Sequence, residues 1–296
     1  MITLVGNPAS SALDEPAAAA AAAAIEAAGA RVGPADWLAP GIACEIPFEG
    51  VAPARADEAV RMALGQRPVD VAALPRDGRR KALLIADMDS TIITIECIDE
   101  LADFVGIKNE IAAITERAMR GELDFEQALT QRIGRMKGLE RAAMERCYEE
   151  RVRLMPGARA LVRTMAANGA FTALVSGGFT FFTERVAKAA GFAVQRANTL
   201  VFEDDRLAGV ARPILGASAK REALDEFRAE KGLAPEATLA VGDGANDIPM
   251  IQAAGLGVAF HAKPKTAAAA GARIDHGDLT ALLYFQGYRA SEIVRD

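Results

Sequence analysis

Asp87 and Asp89, two aspartates one residue apart, close the apolar run Leu83-Leu84-Ile85-Ala86-Asp87-Met88-Asp89-Ser90-Thr91. On extended backbone, alternate residues point to the same side, so both carboxyl groups can face one reacting group. One can act as nucleophile or metal ligand while the other handles protons. The apolar run reads as a buried parallel strand, and open α/β sheets bind ligands beyond the carboxyl ends of such strands. The string also fits a strand ending in solvated acids, with Asp89 capping the next helix.

Three later stretches end in comparable chemistry. The predicted strand Phe171–Val175 runs into Ser176-Gly177-Gly178-Phe179, where a hydroxyl and glycine N–H groups could cradle phosphate oxygens. Lys220 opens a predicted helix after Gly216-Ala217-Ser218 and could offset charge on a transferring phosphoryl group. The predicted strand Thr238–Val241 leads into Gly242-Asp243-Gly244-Ala245-Asn246-Asp247. Two acids among small residues suit a Mg²⁺ site built from oxygen ligands, with glycines admitting close approach. Each stretch also has a plainer reading: a glycine turn, a surface lysine, an acidic helix N-terminus.

The elements that must position these residues fall into three regions. Residues 1 to about 76 read as β-α-β-β-α-β: Ile2–Val5, about Glu15–Ala28, about Arg31–Leu38, Cys44–Phe48, about Ala54–Leu64 and Val69–Leu74. That order suggests a small α+β, ferredoxin-like module. The polar stretch Arg76-Asp77-Gly78-Arg79-Arg80-Lys81 marks the boundary, with 77–296 as the second domain. From about 96 to 152 the pattern is helical, and Asp124 with Gln127 resembles a capping box. Beyond Pro156-Gly157 helices and strands alternate, with a hairpin at Asp204-Asp205, as in a parallel α/β sheet. The helical block is then an insertion at the sheet's carboxyl edge, able to close over a site.

Composition narrows the classes. The chain has 296 residues, 51% hydrophobic and 25% charged, with a net charge of -6. It is long enough for two domains, and too acidic for a nucleic-acid surface. The Ala17–Ala24 tract is too short and weakly apolar to span a bilayer, so no membrane partner is expected. The first residues, Met1 to Gly6, lack the basic and apolar pattern of a signal peptide. Cys44, Cys97 and Cys147 lie far apart and suggest no disulfide framework, and two histidines do not suggest a zinc site. The cytoplasm is the expected compartment.

In this order, DMDST, SGGF, Lys220 and GDGAND resemble the four motifs of the haloacid dehalogenase (HAD) superfamily of phosphotransfer enzymes, over about residues 81–285. Glu96, the pattern Met119, Phe125 and Arg132, and Ala197-Asn198-Thr199-Leu200 are similar to those of the members that act on O-phosphoserine. The resemblance implies a Rossmann-like parallel sheet with a helical cap, and an N-terminal module similar to the ACT-like domain of many bacterial members. It implies that Asp87 attacks phosphorus and that Asp89 carries protons. It further implies that Mg²⁺ is held by Asp87, the Asp89 carbonyl and Asp243, with Asp247 binding metal waters or steadying Lys220. Ser176, Gly177, Lys220 and Asn246 would hold phosphate. Arg132 and Glu96 would take the substrate carboxylate and ammonium, with Met119 and Phe125 as an apolar lid. Alternatives are phosphate transfer to homoserine, another small phosphomonoester, or a receiver-type signalling module, the last disfavoured by Asp89. The N-terminal module could sense an amino acid or build a homodimer.

Overall fold

The strand β7 (Leu83–Ala86), which carries the first acid pair at its end, lies in the middle of a six-stranded sheet. The computed structural model describes residues 1–9, 13–119, 122–216 and 218–294, the side chain of Met119 excepted. Before β7 come β1 (Ile2–Gly6), α1 (Glu15–Ala27), β2 (Arg31–Val32), β3 (Asp36–Ala39), β4 (Ala43–Ile46), β5 (Phe48–Glu49), α2 (Pro53–Leu64) and β6 (Val69–Ala73). The sheet order β3-β4-β1-β6, antiparallel throughout, is the expected ferredoxin-like arrangement. The single strand expected at Arg31–Leu38 is instead broken. Gly33-Pro34 interrupts it, so β2 pairs with β5 while β3 pairs with β4. Helix α1 starts where Asp14 accepts the Ala17 N–H at 2.8 Å, with a proline in its first turn.

After β7 come α3 (Cys97–Phe104), α4 (Lys108–Met119), α5 (Phe125–Arg135) and α6 (Arg141–Arg151), the helical cap. The Asp124 and Gln127 capping box that opens α5 forms in both directions. Then follow α7 (Ala158–Ala167), β8 (Phe171–Phe179), α8 (Thr180–Ala190), β9 (Val194–Asn198), β10 (Leu200–Glu203) and β11 (Arg206–Val210). Asp204 and Asp205, both at positive φ, turn β10 into β11 as a hairpin. The chain closes with α9 (Ala219–Glu230), β12 (Thr238–Gly242), α10 (Ile248–Ala253), β13 (Leu256–Phe260), α11 (Pro264–Ala269), β14 (Ala272–Ile274) and α12 (Ala281–Phe285).

The second sheet has the order β14-β13-β12-β7-β8-β9 and is parallel at every pairing. Its central strands β7 and β12 are wholly buried, which is why they read as unbroken apolar runs. The strand ends of β12, β7 and β8 are therefore neighbours, and everything beyond them faces the cap. The N-terminal sheet buries one face under α1 and α2. Its other face brings Val5, Leu38, Ala43 and Ala72 into the main core beside Leu279, Leu282 and Phe285.

Candidate active site

Past the end of β7 the Asp87 N–H donates to Val241 O at 3.1 Å, so the backbone stays in register with β12 up to the first acid. Then it turns sharply: Met88 O accepts from Ile92 N at 2.9 Å and Ile93 N at 3.0 Å, and Ser90 takes a positive φ. Met88 is completely buried, while Asp87 and Asp89 both line one cavity of about 600 Å³ beneath the cap.

The two acids meet different partners. Lys220 Nζ stands 2.7 Å from Asp87 Oδ1 and 2.5 Å from Asp247 Oδ1, with all three side chains buried. Carboxylate oxygens of Asp87, Asp243 and Asp247 come within 4.8 Å of one another. Asp243 accepts from the Thr91 hydroxyl at 3.2 Å, and Asp247 from the Gly244 N–H at 2.9 Å. The Asp89 carboxylate stands apart from this triad. Its Oδ1 accepts from Cys97 N at 2.9 Å and its Oδ2 from Ser176 Oγ at 3.4 Å.

Burial, then the neighbouring Asp247, pushes the Asp87 carboxyl well above the usual carboxylate range, with Lys220 pulling the other way. Burial raises Asp89, and burial with Asp247 raises Asp243. Burial opposes the charge on Lys220, but Asp87 and Asp247 outweigh it and hold the ammonium above its ordinary value. Three acids that offer only oxygen ligands, with no nitrogen or sulfur among them, suit a hard divalent cation.

The rest of the floor comes from β8. Ser176 and Gly177 were expected in a turn after the strand; β8 instead continues to Phe179, with its pairing to β9 shifted between Val175 and Phe179. The irregularity points Ser176 Oγ at Asp89 while accepting the Gly178 N–H at 2.9 Å. A Cβ on Gly177 would stand 2.9 Å from Phe125 Cζ, so the cap's ring rests on bare backbone. Arg132, Glu96 and Asn246 also line the cavity. Arg132 Nε donates to Ala128 O at 3.3 Å, and burial lowers its guanidinium from the usual value. Glu96 accepts from Ser90 Oγ at 2.6 Å, and burial followed by Asp89 pushes its carboxyl up to about 7. Lys220 and Asp247 stand behind the lining, against Asp87. The Met119 side chain lies outside the described residues.

Sequence reasoning missed several contributors. Asn198 donates to Gly177 O at 2.9 Å and accepts the Leu215 N–H at 2.7 Å, so it clamps the phosphate-loop candidate from behind. In sequence it stood out only within the stretch Ala197-Asn198-Thr199-Leu200 of the resemblance, with no role attached to it. Thr91, which holds Asp243, hid inside the first motif. Asp99, on α3, and Lys263, just before α11, also line the cavity, from positions that look ordinary in sequence.

Against known proteins, a family model for haloacid dehalogenase-like hydrolases matches residues 84–252. The phosphoserine phosphatase of Albidiferax ferrireducens is 48% identical over 207 residues, which are 68% of this chain and 87% of that one. A probable phosphoserine phosphatase from Vibrio cholerae superposes with a TM-score of 0.78 at 31% identity, covering 98% of this chain and 87% of that one. A phosphoserine phosphatase solved as a phospho-aspartyl intermediate analogue gives 0.64 at 37% identity, covering 70% and 99%. With the family matched across more than half its length and relatives aligned over most of theirs, the chain belongs to the haloacid dehalogenase-like hydrolases, in their phosphoserine phosphatase branch.

Proposed function

We propose that this enzyme hydrolyses O-phospho-L-serine to L-serine and phosphate through a phosphoaspartate on Asp87, with Mg²⁺ as its cation. The observation that carries this reading is the juxtaposition of Asp87 with Lys220 at 2.7 Å and with two further acids, under a cap that presents Arg132 and Glu96 to the same cavity. The relative solved with a phospho-aspartyl analogue supports the covalent step.

In the first step Asp87 attacks phosphorus and the bond to the serine oxygen breaks; Asp89 gives its proton to that oxygen. In the second step Asp89, now a carboxylate, takes a proton from the water that attacks the phosphoaspartate, which restores both acids. Burial moves the Asp89 carboxyl in the direction a proton donor needs, whereas Lys220 at 2.7 Å draws Asp87 toward the carboxylate that attacks. Ser176, the Gly177 N–H, Asn246 and Lys220 hold phosphate oxygens, and Lys220 also fixes Asp87. Asp87, the Asp89 carbonyl and Asp243 would hold the cation, which would supply charge to offset the repulsion between an anionic nucleophile and an anionic phosphate. Asp247 anchors Lys220.

Substrate choice falls to the cap. Arg132 offers a planar fork to the carboxylate and Glu96 a counter-charge to the ammonium, while Phe125 excludes water. We place the boundary between the N-terminal module and the phosphatase domain after residue 76. The test is phosphate release with Mg²⁺ from phosphoserine, phosphothreonine and a sugar phosphate, with homoserine added as an acceptor. Preference for phosphoserine without transfer to homoserine supports the reading; phosphohomoserine as the main product, or preference for the sugar phosphate, overturns it.

A further inference from the structure

Asp70 stands on β6, the edge strand of the N-terminal sheet, is 1% exposed and does not line the site cavity. A carboxylate is costly to bury unless its oxygens are well satisfied. Here they are satisfied by the other domain. Asp70 Oδ1 accepts from Asp275 N at 2.7 Å and His276 N at 3.1 Å, and Oδ2 from Gly277 N at 2.7 Å. Residue 277 must be small, since a Cβ there would stand 2.9 Å from Asp70 Oδ2. His261 Nε2 donates to Gly277 O at 2.9 Å, so a second side chain also holds the loop.

The residues that follow are the seat of the cap. Asp278 Oδ1 accepts from Thr280 N at 2.8 Å and Thr280 Oγ1 at 2.5 Å, which makes a tight turn. The cap's return arm rests on that turn: Leu279 N donates to Pro156 O at 3.1 Å. Gly157, at a φ of +79°, approaches so closely that a Cβ would be 2.6 Å from Thr280 N. The return arm is in turn bonded to the outgoing arm, Met155 N to Ile92 O at 2.8 Å and Thr94 N to Arg153 O at 3.1 Å. The outgoing arm springs directly from the turn after Asp87 and Asp89.

We propose that Asp70 is a positioning residue for the cap: by fixing residues 275–277 it sets the turn on which the cap's return arm is seated, and so how Arg132 and Glu96 are held over Asp87. The N-terminal module thereby acts on substrate recognition without touching substrate. Only the kinetic arm of the test rests on the phosphoserine reading.

The test compares full-length wild type, Asp70→Asn and Arg289→Ala. Arg289 binds the same module elsewhere, at Asp36 and Trp37 O, and so controls for general loosening. In Asp70→Asn, amide hydrogen exchange in the arms 92–94 and 153–157 should speed up while β12 stays as in wild type. The KM for O-phosphoserine should rise about tenfold, while inhibition by inorganic phosphate, which needs only the floor of the site, changes by less than about twofold. Arg289→Ala should show neither effect. Unchanged exchange in the arms of Asp70→Asn, or the same change in Arg289→Ala, overturns the proposal. If Asp70→Asn does not fold, wild-type exchange decides: residues 275–280 and the two arms must share one protection, and separate protections overturn the idea. A wild type that ignores phosphoserine but passes the exchange test would refute the functional reading and leave this one standing.

Discussion

Asp87 and Asp89 are chemically the same group, and their partners divide them. Asp87 has an ammonium at 2.7 Å and two acids close by; Asp89 has a backbone N–H and a hydroxyl. That division matches the roles of nucleophile and proton carrier. Asp87→Asn should retain its fold by circular dichroism and lose turnover by about a thousandfold or more, because no lesser nucleophile replaces it. Near-wild-type phosphate release would remove Asp87 from that role. Arg132→Ala should raise the KM for phosphoserine about tenfold or more, the scale of a lost charged hydrogen bond, and change that of a phosphomonoester without a carboxylate far less. Equal effects on both would take Arg132 out of the substrate site. Glu96 makes a prediction in pH. Its carboxyl is pushed up to about 7, so it loses its charge as pH falls through that value, and with it the attraction for an ammonium. The KM for phosphoserine should therefore rise on acidification, and Glu96→Gln should flatten that slope; an identical slope in the variant would discard the assignment. Asp87 and Asp89 were legible because acids are rare at apolar strand ends; Arg132, on α5, and Glu96, at the N-cap of α3, were reached only through the resemblance. The holding roles of Asn198 and Thr91 were not legible, because each acts on a neighbour, and its partner is 21 or 152 positions away.

Strands and glycines decide whether those residues meet. The parallel order put β12, β7 and β8 side by side, and each was visible as a buried apolar run. Less visible was the short cross-pairing of β2 with β5, which depends on where Gly33-Pro34 breaks a strand, and β14, only three residues long. The extension of β8 through Ser176-Gly177-Gly178 also escaped, since glycine pairs usually signal a turn. Gly242 shows what the element scale demands. A Cβ there would fall 2.3 Å from Asp247 Cγ, inside the group that anchors Lys220. Gly242→Ala should cost about 1–3 kcal/mol in denaturant unfolding, as overpacked cores do, and should weaken activity further by displacing Asp247. A variant with unchanged stability and turnover would show that the strand end has slack the packing does not suggest.

For the molecule as a whole, the buried acids set a balance between function and stability. Asp87, Asp89 and Asp243 have folded-state values above those of the unfolded chain. Their contribution is therefore fully present at low pH and is lost as pH rises through the raised values. A divalent cation bound among them would oppose that loss. Added Mg²⁺ should raise Tm more in mildly alkaline than in mildly acidic buffer; a gain that shrinks as pH rises would contradict a cation held by these carboxylates. The N-terminal sheet shares its face with Leu282 and Phe285 of the other domain, a contact that sequence could not reveal because Val5 and Ala43 read as ordinary strand residues.

The ring of Phe125 lying on the bare backbone of Gly177 has one more implication, which concerns traffic. A door that rests directly on the threshold must swing before anything leaves, so the two products exit only in step with that motion. Turnover should then slow as the medium is thickened with sucrose, in proportion to relative viscosity. Gly177→Ala, which wedges the door ajar, should blunt that dependence.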